Sequence, residues 1–196
     1  GVFAIDVETG RTAWSYDGDG IDHDGIAIGG GNLFVVQRQL TEAEHQQAIR
    51  NTIKDSSVED RKPLDRRGKL IEPDLRKLVV LDAASGEKLW QWPFNATDIT
   101  LDDVVLSQNR VGVACMYQDN VVVVHGTGSL GHPHREFLKG EFRRRALYAL
   151  DSKSGKFLWG GRLGYRKRPV LVDGTIYAEP FAWNLRTGKP KMILNP

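Results

Sequence analysis

The sequence predicts an all-β protein built from a repeated four-stranded antiparallel unit, and two observations carry this prediction. First, one eleven-residue phrase occurs four times, at residues 4–14, 80–90, 149–159 and 182–192. Each copy joins an apolar strand, a turn that opens with Asp or Asn and closes with Gly, and a second strand, which is the pattern of a β-hairpin. Second, further strand-like apolar runs lie between the copies, at residues 26–28, 33–37, 111–116, 121–125, 170–172 and 175–178.

The spacing of the copies indicates how many units the chain holds. Tandem four-stranded units without helical alternation are typical of β-propeller blades. The first three copies end in Trp14, Trp90 and Trp159, which are 76 and 69 residues apart, whereas a blade needs about 40 residues. Two units therefore carry insertions. Because closed propellers have roughly four to eight blades, we predict one incomplete propeller domain over residues 1–196, with about three blades, a leading hairpin and a helical insertion. The remaining blades are expected from flanking sequence or another chain.

The composition excludes several other classes of protein. The 196 residues include 27 Lys or Arg and 25 Asp or Glu, and 40% are hydrophobic, which is ordinary for a globular protein. No apolar run of about 18 residues occurs, so no membrane span is predicted. Cys115 is the single cysteine, which excludes an intrachain disulfide and a CxxC site. The chain opens at Gly1 without a signal-peptide pattern, and we interpret it as a mature or excised segment.

The unusual segments are predicted to share one face of the propeller. If the strands of a blade are labelled A to D from the centre outward, the D-to-A and B-to-C connections lie on one face and the C-to-D hairpin turns on the other. The acidic loop 17–24, the insertion 38–77, the Gly/His/Arg-rich loop 126–145 and the basic stretch 160–168 are all connections of the first kind. Since repeat proteins vary the loops of their binding face, we expect this face to be the functional one.

Two segments on this face have competing interpretations. The carboxylates Asp17, Asp19 and Asp22 could bind a calcium ion, but their spacing departs from the EF-hand pattern, and a solvated turn is the alternative. The insertion contains a predicted helix over residues 41–54, with Thr41 as N-cap, early acidic and late basic residues. We expect a solvated lid or a partner-docking helix there rather than a catalytic element.

The Gly/His/Arg-rich loop carries the candidate metal ligands. His125, His132 and His134, with Cys115 on the preceding strand, could gather around a transition metal, or the histidines could form hydrogen bonds that fix the loop. Residues 126–131 match G-x-G-x-x-G, but Pro133 disfavours the helix that a dinucleotide site needs. A serine hydrolase is also disfavoured, because Ser129 lacks the G-x-S-x-G pattern.

Charge gives a further signal. Residues 132–168 hold eleven Lys or Arg against three Asp or Glu, a local charge of +8 in a chain whose total is +2, so the remainder carries −6. Such a basic region favours anionic partners such as polysaccharide, phosphate, acidic protein or nucleic acid. The alternative is that these cations pair with acidic residues of neighbouring blades. The candidate binding residues are Arg135, Arg143, Arg144, Arg145, Arg166, Lys167 and Arg168.

The repeated phrase resembles the tryptophan-docking motif of the pyrroloquinoline quinone (PQQ)-like repeat propellers. That family includes quinoprotein dehydrogenases and the propeller lipoprotein of outer-membrane protein assembly, and the resemblance covers most of the chain except residues 38–77. It implies that Trp14, Trp90 and Trp159 pack on glycine-containing turns of neighbouring blades, and that Gly10, Gly86 and Gly155 belong to such turns. The copies depart from the phrase at Val80, Glu87, Asn184 and Met192, and the last two leave the docking of the final blade open.

The resemblance implies two classes of function. Residues 126–137, 178–180 and 185–188 are similar to a group of large bacterial PQQ-like repeat proteins without an established activity. We expect a non-catalytic binding or scaffold module that presents loops to a protein or anionic partner and needs no cofactor. The alternative is a PQQ-dependent oxidoreductase domain with PQQ and calcium, although the family's dehydrogenases rely on adjacent cysteines, which one cysteine cannot supply. The resemblance also implies an exported bacterial protein, periplasmic or at the cell surface.

Overall fold

The strands in the described part of this chain form four separate antiparallel sheets. The computed structural model describes residues 1–51, 72–100, 112–126, 145–163, 165 and 168–193. Within these ranges a leading hairpin, β1 (Val2–Ile5) and β2 (Thr12–Tyr16), precedes three sheets of four strands. Blade 1 comprises β3 (Ile21–Gly29), β4 (Asn32–Gln37), β5 (Leu75–Asp82) and β6 (Lys88–Asn95); blade 2 comprises β7 (Val113–Gln118), β8 (Val121–Gly126), β9 (Arg145–Asp151) and β10 (Phe157–Leu163); blade 3 comprises β11 (Val170–Val172), β12 (Thr175–Ala178), β13 (Phe181–Asn184) and β14 (Pro190–Ile193).

Each blade is a meander in which strands that follow one another in the chain are neighbours. The first strands of successive blades lie side by side. Among the described residues, two helices accompany the sheets: α1 (Glu42–Arg50) in the insertion and the single turn α2 (Thr97–Thr100) after blade 1. This arrangement confirms the predicted fold class, an all-β partial propeller of three four-stranded blades with a helical insertion.

The strands extend further than the loop patterns predicted. β3 begins at Ile21, so the second half of the predicted acidic loop is strand. Ile21 pairs with Gln37 beyond an irregularity in the ladder, which lengthens the edge of the blade past the apolar run. β5 begins at Leu75, so the insertion is residues 38–74, and β10 continues to Leu163. The helix ends at Arg50, where the predicted one continued to residue 54, and residues 52–54 lie outside the described ranges.

The turn of the repeated hairpin is fixed by its opening side chain. Asp82 Oδ1 accepts hydrogen bonds from the backbone N–H of Ser85 at 2.8 Å and from its hydroxyl at 3.0 Å. These bonds hold the pKa of the Asp82 carboxyl below its ordinary value. In the last copy Asn184 Oδ1 accepts from the N–H and the hydroxyl of Thr187, both at 2.9 Å. The amide oxygen therefore serves the same purpose as the carboxylate, and the exchange of Asp for Asn preserves the turn.

The repeated turns also connect the sheets, because three of them receive an indole ring from the preceding sheet. In each case the indole N–H donates a hydrogen bond to a backbone carbonyl oxygen of the turn. The pairs are Trp14 with Ala83 at 3.1 Å, Trp90 with Ser152 at 3.1 Å and Trp159 with Leu185 at 2.8 Å. The rings lie so close to the glycines that an added Cβ would approach a ring carbon to 2.6 Å at Gly86, 2.8 Å at Gly155 and 2.4 Å at Gly188. Only glycine fits these positions without a shift of the ring.

The last copy receives an indole but presents none. Trp159 packs on the turn of blade 3, so the departure at Asn184 leaves this contact intact. In the first hairpin, Trp14 pairs with Ala4, the first residue of the repeated phrase. In the last hairpin, Met192 of β14 pairs in the same way with Ala182. Met192 therefore occupies the tryptophan position, and its side chain is half exposed.

The hydrophobic core lies between the sheets rather than within any one of them. Trp92 of blade 1 stacks on Phe94 at 5.0 Å between ring centroids and meets Tyr148 of blade 2 edge-on at 5.6 Å. A second cluster lies between blades 2 and 3, and a third joins the leading hairpin to blade 1. Because burial of a large apolar side chain contributes roughly 1.5–3 kcal/mol, each blade depends on its neighbours for stability.

Candidate functional site

The connections between strands divide into two kinds, one at each end of the blades. At one end the hairpin turns are hydrogen-bonded to one another within each blade, from Ala83 N to Gly31 O at 2.9 Å, from Ser152 N to Asn120 O at 3.0 Å and from Leu185 N to Gly174 O at 2.8 Å. At the other end the strands are joined through residues 17–20, 38–74, 96–112, 127–144, 164–169 and 179–180, of which the last is a two-residue turn. We call this second end the loop face, and it corresponds to the face that the sequence predicted.

A buried ion-paired cluster forms the part of the loop face that belongs to blade 1. The side chain of Arg76, at the start of β5, is fully buried. Its guanidinium donates to both carboxylate oxygens of Asp74, at 3.1 and 2.8 Å, and to Asp22 of β3. Asp22 also accepts from Arg38 at 3.0 and 2.8 Å. Two carboxylates and two guanidinium groups from three segments are thus fixed in one network, in which charge-assisted hydrogen bonds compensate for burial.

This cluster decides the fit of the proposed calcium site. Both carboxylate oxygens of Asp22 accept hydrogen bonds from arginine, and Asp22 lies in a strand rather than in the predicted loop. Asp17 and Asp19 are exposed, and in the described ranges no three His, Cys, Asp or Glu side chains group as metal ligands. With both of its oxygens bonded to arginine, Asp22 does not fit the predicted set of calcium ligands.

Helix α1 is held on blade 1 through Glu44. Thr41 and Glu44 form a reciprocal capping box, in which the Thr41 N–H donates to Glu44 at 2.7 Å. The same carboxylate accepts from Lys77 of β5 at 3.0 Å and from Gln91 of β6 at 2.6 Å. Burial opposes the charge of Glu44, but these donors outweigh it and hold the pKa below its ordinary value.

The far end of the helix is fixed too, and this changes the interpretation of the insertion. The C-cap residue Asn51 donates its side-chain amide to the carbonyl oxygen of Pro93 in β6 at 2.7 Å. Ala48 is buried between these two contacts. The helix is therefore a fixed part of blade 1 and not a solvated lid.

Two residues of the predicted metal group lie in the interior of blade 2. The ring of His125 in β8 is buried, with Nδ1 2.7 Å from the carbonyl oxygen of Gly126. Cys115 in β7 is buried and its thiol lies 3.9 Å from the carbonyl oxygen of Phe34. Burial raises the pKa of Cys115 to about 12, so the thiol stays protonated and is a poor ligand and nucleophile at neutral pH. His132 and His134 lie outside the described residues.

The basic residues are divided between the two ends of the blades. Arg145 begins β9 at the loop face, and Arg168 is exposed just before β11. Lys153 and Lys156 belong to the hairpin turn at the opposite end. The +8 stretch is therefore not one continuous surface. The side chain of Arg145 and all of Arg135, Arg143, Arg144, Arg166 and Lys167 lie outside the described part of the chain, as does Ser129.

The sequence did not predict the hydrogen-bonded networks around Arg76 and Glu44, although the position of Arg76 in its strand is a signal for the first. Arg76 has the same alternation parity as Leu78 and Val80, which face the core between blades 1 and 2. A charged residue at a core position predicts a charged partner. The partner itself could not be read from the sequence, because Asp22 precedes Arg76 by 54 residues.

Comparison with known proteins gives likenesses of structure only. No family model matches the chain, and no curated protein matches it. Among solved structures, BamB from Moraxella catarrhalis is 12% identical over 96% of this chain and 40% of its own, with a TM-score of 0.41. A europium-containing methanol dehydrogenase is 16% identical over 92% and 26%, with a TM-score of 0.43. A quinohemoprotein alcohol dehydrogenase from Comamonas testosteroni is 17% identical over 99% and 40%, with a TM-score of 0.35.

The chain spans less than half the length of each of these three proteins. At such identities no residue role transfers from them to this chain. In the described ranges, no helix has both the length and the apolar character that crossing a membrane requires.

Proposed function

We propose that the chain is a non-catalytic binding or scaffold module whose loop face holds a protein or an anionic partner. One observation carries the proposal: the long connections attach at one end of the blades, while the described turns at the other end are short. Variation in a repeat protein concentrates where a partner is bound. The resemblance of the repeats supports an exported bacterial location for such a module.

The described part of the loop face is rigid, which suits a binding surface. Arg76 is fixed by two carboxylates, and α1 is fixed at Glu44 and Asn51. A surface that is already ordered loses little conformational entropy when a partner docks. Helix α1 therefore adds a preformed element to the rim of blade 1.

The loop face also carries both signs of charge in different places. Asp17 and Asp19 are exposed where the chain passes into blade 1, and Arg168 is exposed where it passes into blade 3. In the sequence, the arginine-rich runs 143–145 and 166–168 come just before or at the start of β9 in blade 2 and before β11 in blade 3. We propose that an anionic partner binds on the side of blades 2 and 3, and that the acidic residues of blade 1 orient it.

The titratable groups with shifted pKa values have structural roles. The thiol of Cys115 is protonated and buried, and Glu44 is occupied by a lysine and a glutamine. Asp6, Asp82 and Asp151 have pKa values lowered by hydrogen bonds from a hydroxyl or backbone N–H in their own turns. In each of these groups the shift of the pKa follows from burial or from hydrogen bonds that hold a turn, a helix or the core in place.

A charge-reversal pair tests the proposal. The triple variant R143E/R144E/R145E changes the arginine run at the start of β9, and K153E/K156E/K189E changes three exposed lysines in the turns opposite the loop face by the same total charge. We expect the arginine variant to elute from immobilised heparin at much lower salt than the lysine variant, because only the former removes cations from the proposed surface. Equal elution of the two variants would contradict an anionic site on the loop face.

A spectroscopic titration separates this module from the oxidoreductase alternative. PQQ and calcium are added to the intact chain, and the visible spectrum and the melting temperature are recorded. We expect neither a new absorption band nor a thermal shift. A saturable band together with a raised melting temperature would overturn the non-catalytic proposal, since binding to the native state alone stabilises it.

A further inference from the structure

The first copy of the repeated turn differs from the other three in what covers it. The residue after the turn-opening Asp or Asn supplies the carbonyl oxygen that accepts an indole N–H in Ala83, Ser152 and Leu185. Leu185 is 1% exposed, whereas Val7, at the matching position of the first copy, is 96% exposed. At Gly10, which has a φ of +68°, no atom of the described residues lies within 4 Å of an added Cβ.

The apolar residues of the strand before this turn are also more exposed than their counterparts in blade 1. Phe3 and Ile5 of β1 are 63% and 52% exposed. Their counterparts in β5 are Val79 and Leu81, which are fully buried. The cover on those two residues comes from the leading hairpin, through Trp14 and other side chains that pack on them. Phe3 and Ile5 therefore lie on a sheet face of the kind that a preceding hairpin covers elsewhere.

The inner strand of blade 1 shows the same pattern. Ile26 and Ile28 of β3 are exposed. When β3 and β7 are aligned at the turn that ends each strand, Ile26 matches Cys115 and Ile28 matches Tyr117. Both of these contact Phe34 of the preceding blade, Cys115 through its thiol and Tyr117 by ring stacking at 5.4 Å. The face of Ile26 and Ile28 is thus suited to two inner strands that would complete the sheet of the leading hairpin.

We propose that the turn from Val7 to Gly10 is a docking site for the tryptophan of a further blade of the same repeat. The indole N–H donates to the carbonyl oxygen of Val7 and the ring packs on Gly10, as in the three contacts already present. The strands that follow this tryptophan cover Ile26 and Ile28. The interface continues one that occurs three times within the chain, so its chemistry is fixed by comparison with matched positions.

The tryptophan comes from outside these 196 residues and not from a second copy of them. The chain has five tryptophans. Trp14, Trp90 and Trp159 are docked on turns, while Trp92 and Trp183 are buried in the core. The tryptophan position of the final blade holds Met192, so no indole is left to donate to Val7 of another copy.

A fusion of the chain with part of itself tests the site. Residues 112–178 placed before residue 1 keep the native register, because Gly1 then takes the place of Glu179 and β1 that of β13. The added segment supplies a second copy of Trp159 to the turn at Gly10. In the native chain Gly10→Ala meets no neighbour, whereas in the fusion it meets the ring. We expect the shift of the urea midpoint caused by Gly10→Ala to be roughly twice as large in the fusion.

The control for the fusion is a tryptophan-to-methionine change in the added segment only. That change should return the effect of Gly10→Ala to its value in the native chain. If Gly10→Ala has the same effect in both backgrounds, the docking site is refuted.

A second measurement on the native chain alone keeps the proposal testable if the fusion misfolds. N-acetyl-tryptophanamide is titrated into the isotope-labelled protein, with N-acetyl-leucinamide as control. We expect the amide resonances of Val7 and Gly10 to shift and saturate with a dissociation constant of roughly 1 mM. The amides of Gly86, Gly155 and Gly188, whose turns already hold rings, should not shift. No shift at Val7 and Gly10 would overturn the proposal. Dimers in sedimentation that protect the Val7 amide from exchange would instead assign the site to a second copy and also overturn it.

Discussion

Gly155→Ala should destabilise the chain far more than Gly10→Ala, although both glycines close the same repeated turn. Their backbones are nearly identical, with φ of +69° and +68°. Alanine in this left-handed conformation costs about 1–2 kcal/mol at either position. At Gly155 the new Cβ would also lie 2.8 Å from a ring carbon of Trp90, which is closer than side chains approach one another. The ring must then move away from its carbonyl partner on Ser152.

The difference between the two variants measures the docking contact. Overpacking in a well-packed site costs about 1–3 kcal/mol, so we expect Gly155→Ala to lower the free energy of unfolding by about 2–5 kcal/mol and Gly10→Ala by about 1–2 kcal/mol. Urea unfolding followed by circular dichroism gives both values, provided that the m-values agree. Since Gly10 is the matched control, the conformational cost cancels in the comparison.

A double-mutant cycle provides the refutation. In a Trp90→Ala background the Cβ at position 155 no longer meets the ring, so Gly155→Ala should cost only about 1–2 kcal/mol, the conformational part. Equal costs for Gly155→Ala and Gly10→Ala in the wild-type background would show that the docked indole does not stabilise the blades. An undiminished cost in the Trp90→Ala background would show the same.

Three further predictions concern the polar groups. Arg76→Met should destabilise the chain by about 3–5 kcal/mol in urea unfolding, because it removes the buried guanidinium that bonds both Asp22 and Asp74. Glu44, whose pKa is lowered in the folded chain, should stabilise α1 above the ordinary glutamate pKa and lose this effect as the pH falls through the lowered value. The protection factors of the α1 amides, which are exchange rates corrected for the intrinsic pH dependence of exchange, should follow that course and lose their pH dependence in Glu44→Gln. Asp82→Asn should nearly retain the wild-type melting temperature and Asp82→Ala should lower it, since Asn184 already forms this turn with an amide oxygen.

The hairpins could be predicted because their signals are local. An Asp or Asn that bonds the residue three positions later, a closing glycine at positive φ and a tryptophan at fixed distance all lie within eleven residues. The N-terminus of α1 was readable for the same reason, since Thr41 and Glu44 satisfy each other's backbone. Strand count and order follow from repetition of such local units.

The site could not be predicted in the same way, because its partners are distant in sequence. Asp22 looked like a loop carboxylate available to a cation, and its arginine partners come 16 and 54 residues later. Glu44 was readable as a cap but not as the group that holds α1 on Lys77, 33 residues away. The distribution of the basic stretch could not be predicted from charge alone, since the hairpin between β9 and β10 carries Lys153 and Lys156 to the end opposite the loop face.

The docking contacts explain why the two ends of the blades differ. At the turn end, each of the last three repeated turns must present a carbonyl oxygen and a glycine to an indole ring, so length and sequence have little freedom there. The loop face carries no such repeated contact in the described ranges, and there the connections range from two residues, at 179–180, to thirty-seven, at 38–74. The contact that joins the blades thus leaves one face free to diversify, and a protein that evolves a binding surface on this scaffold must build it at that face.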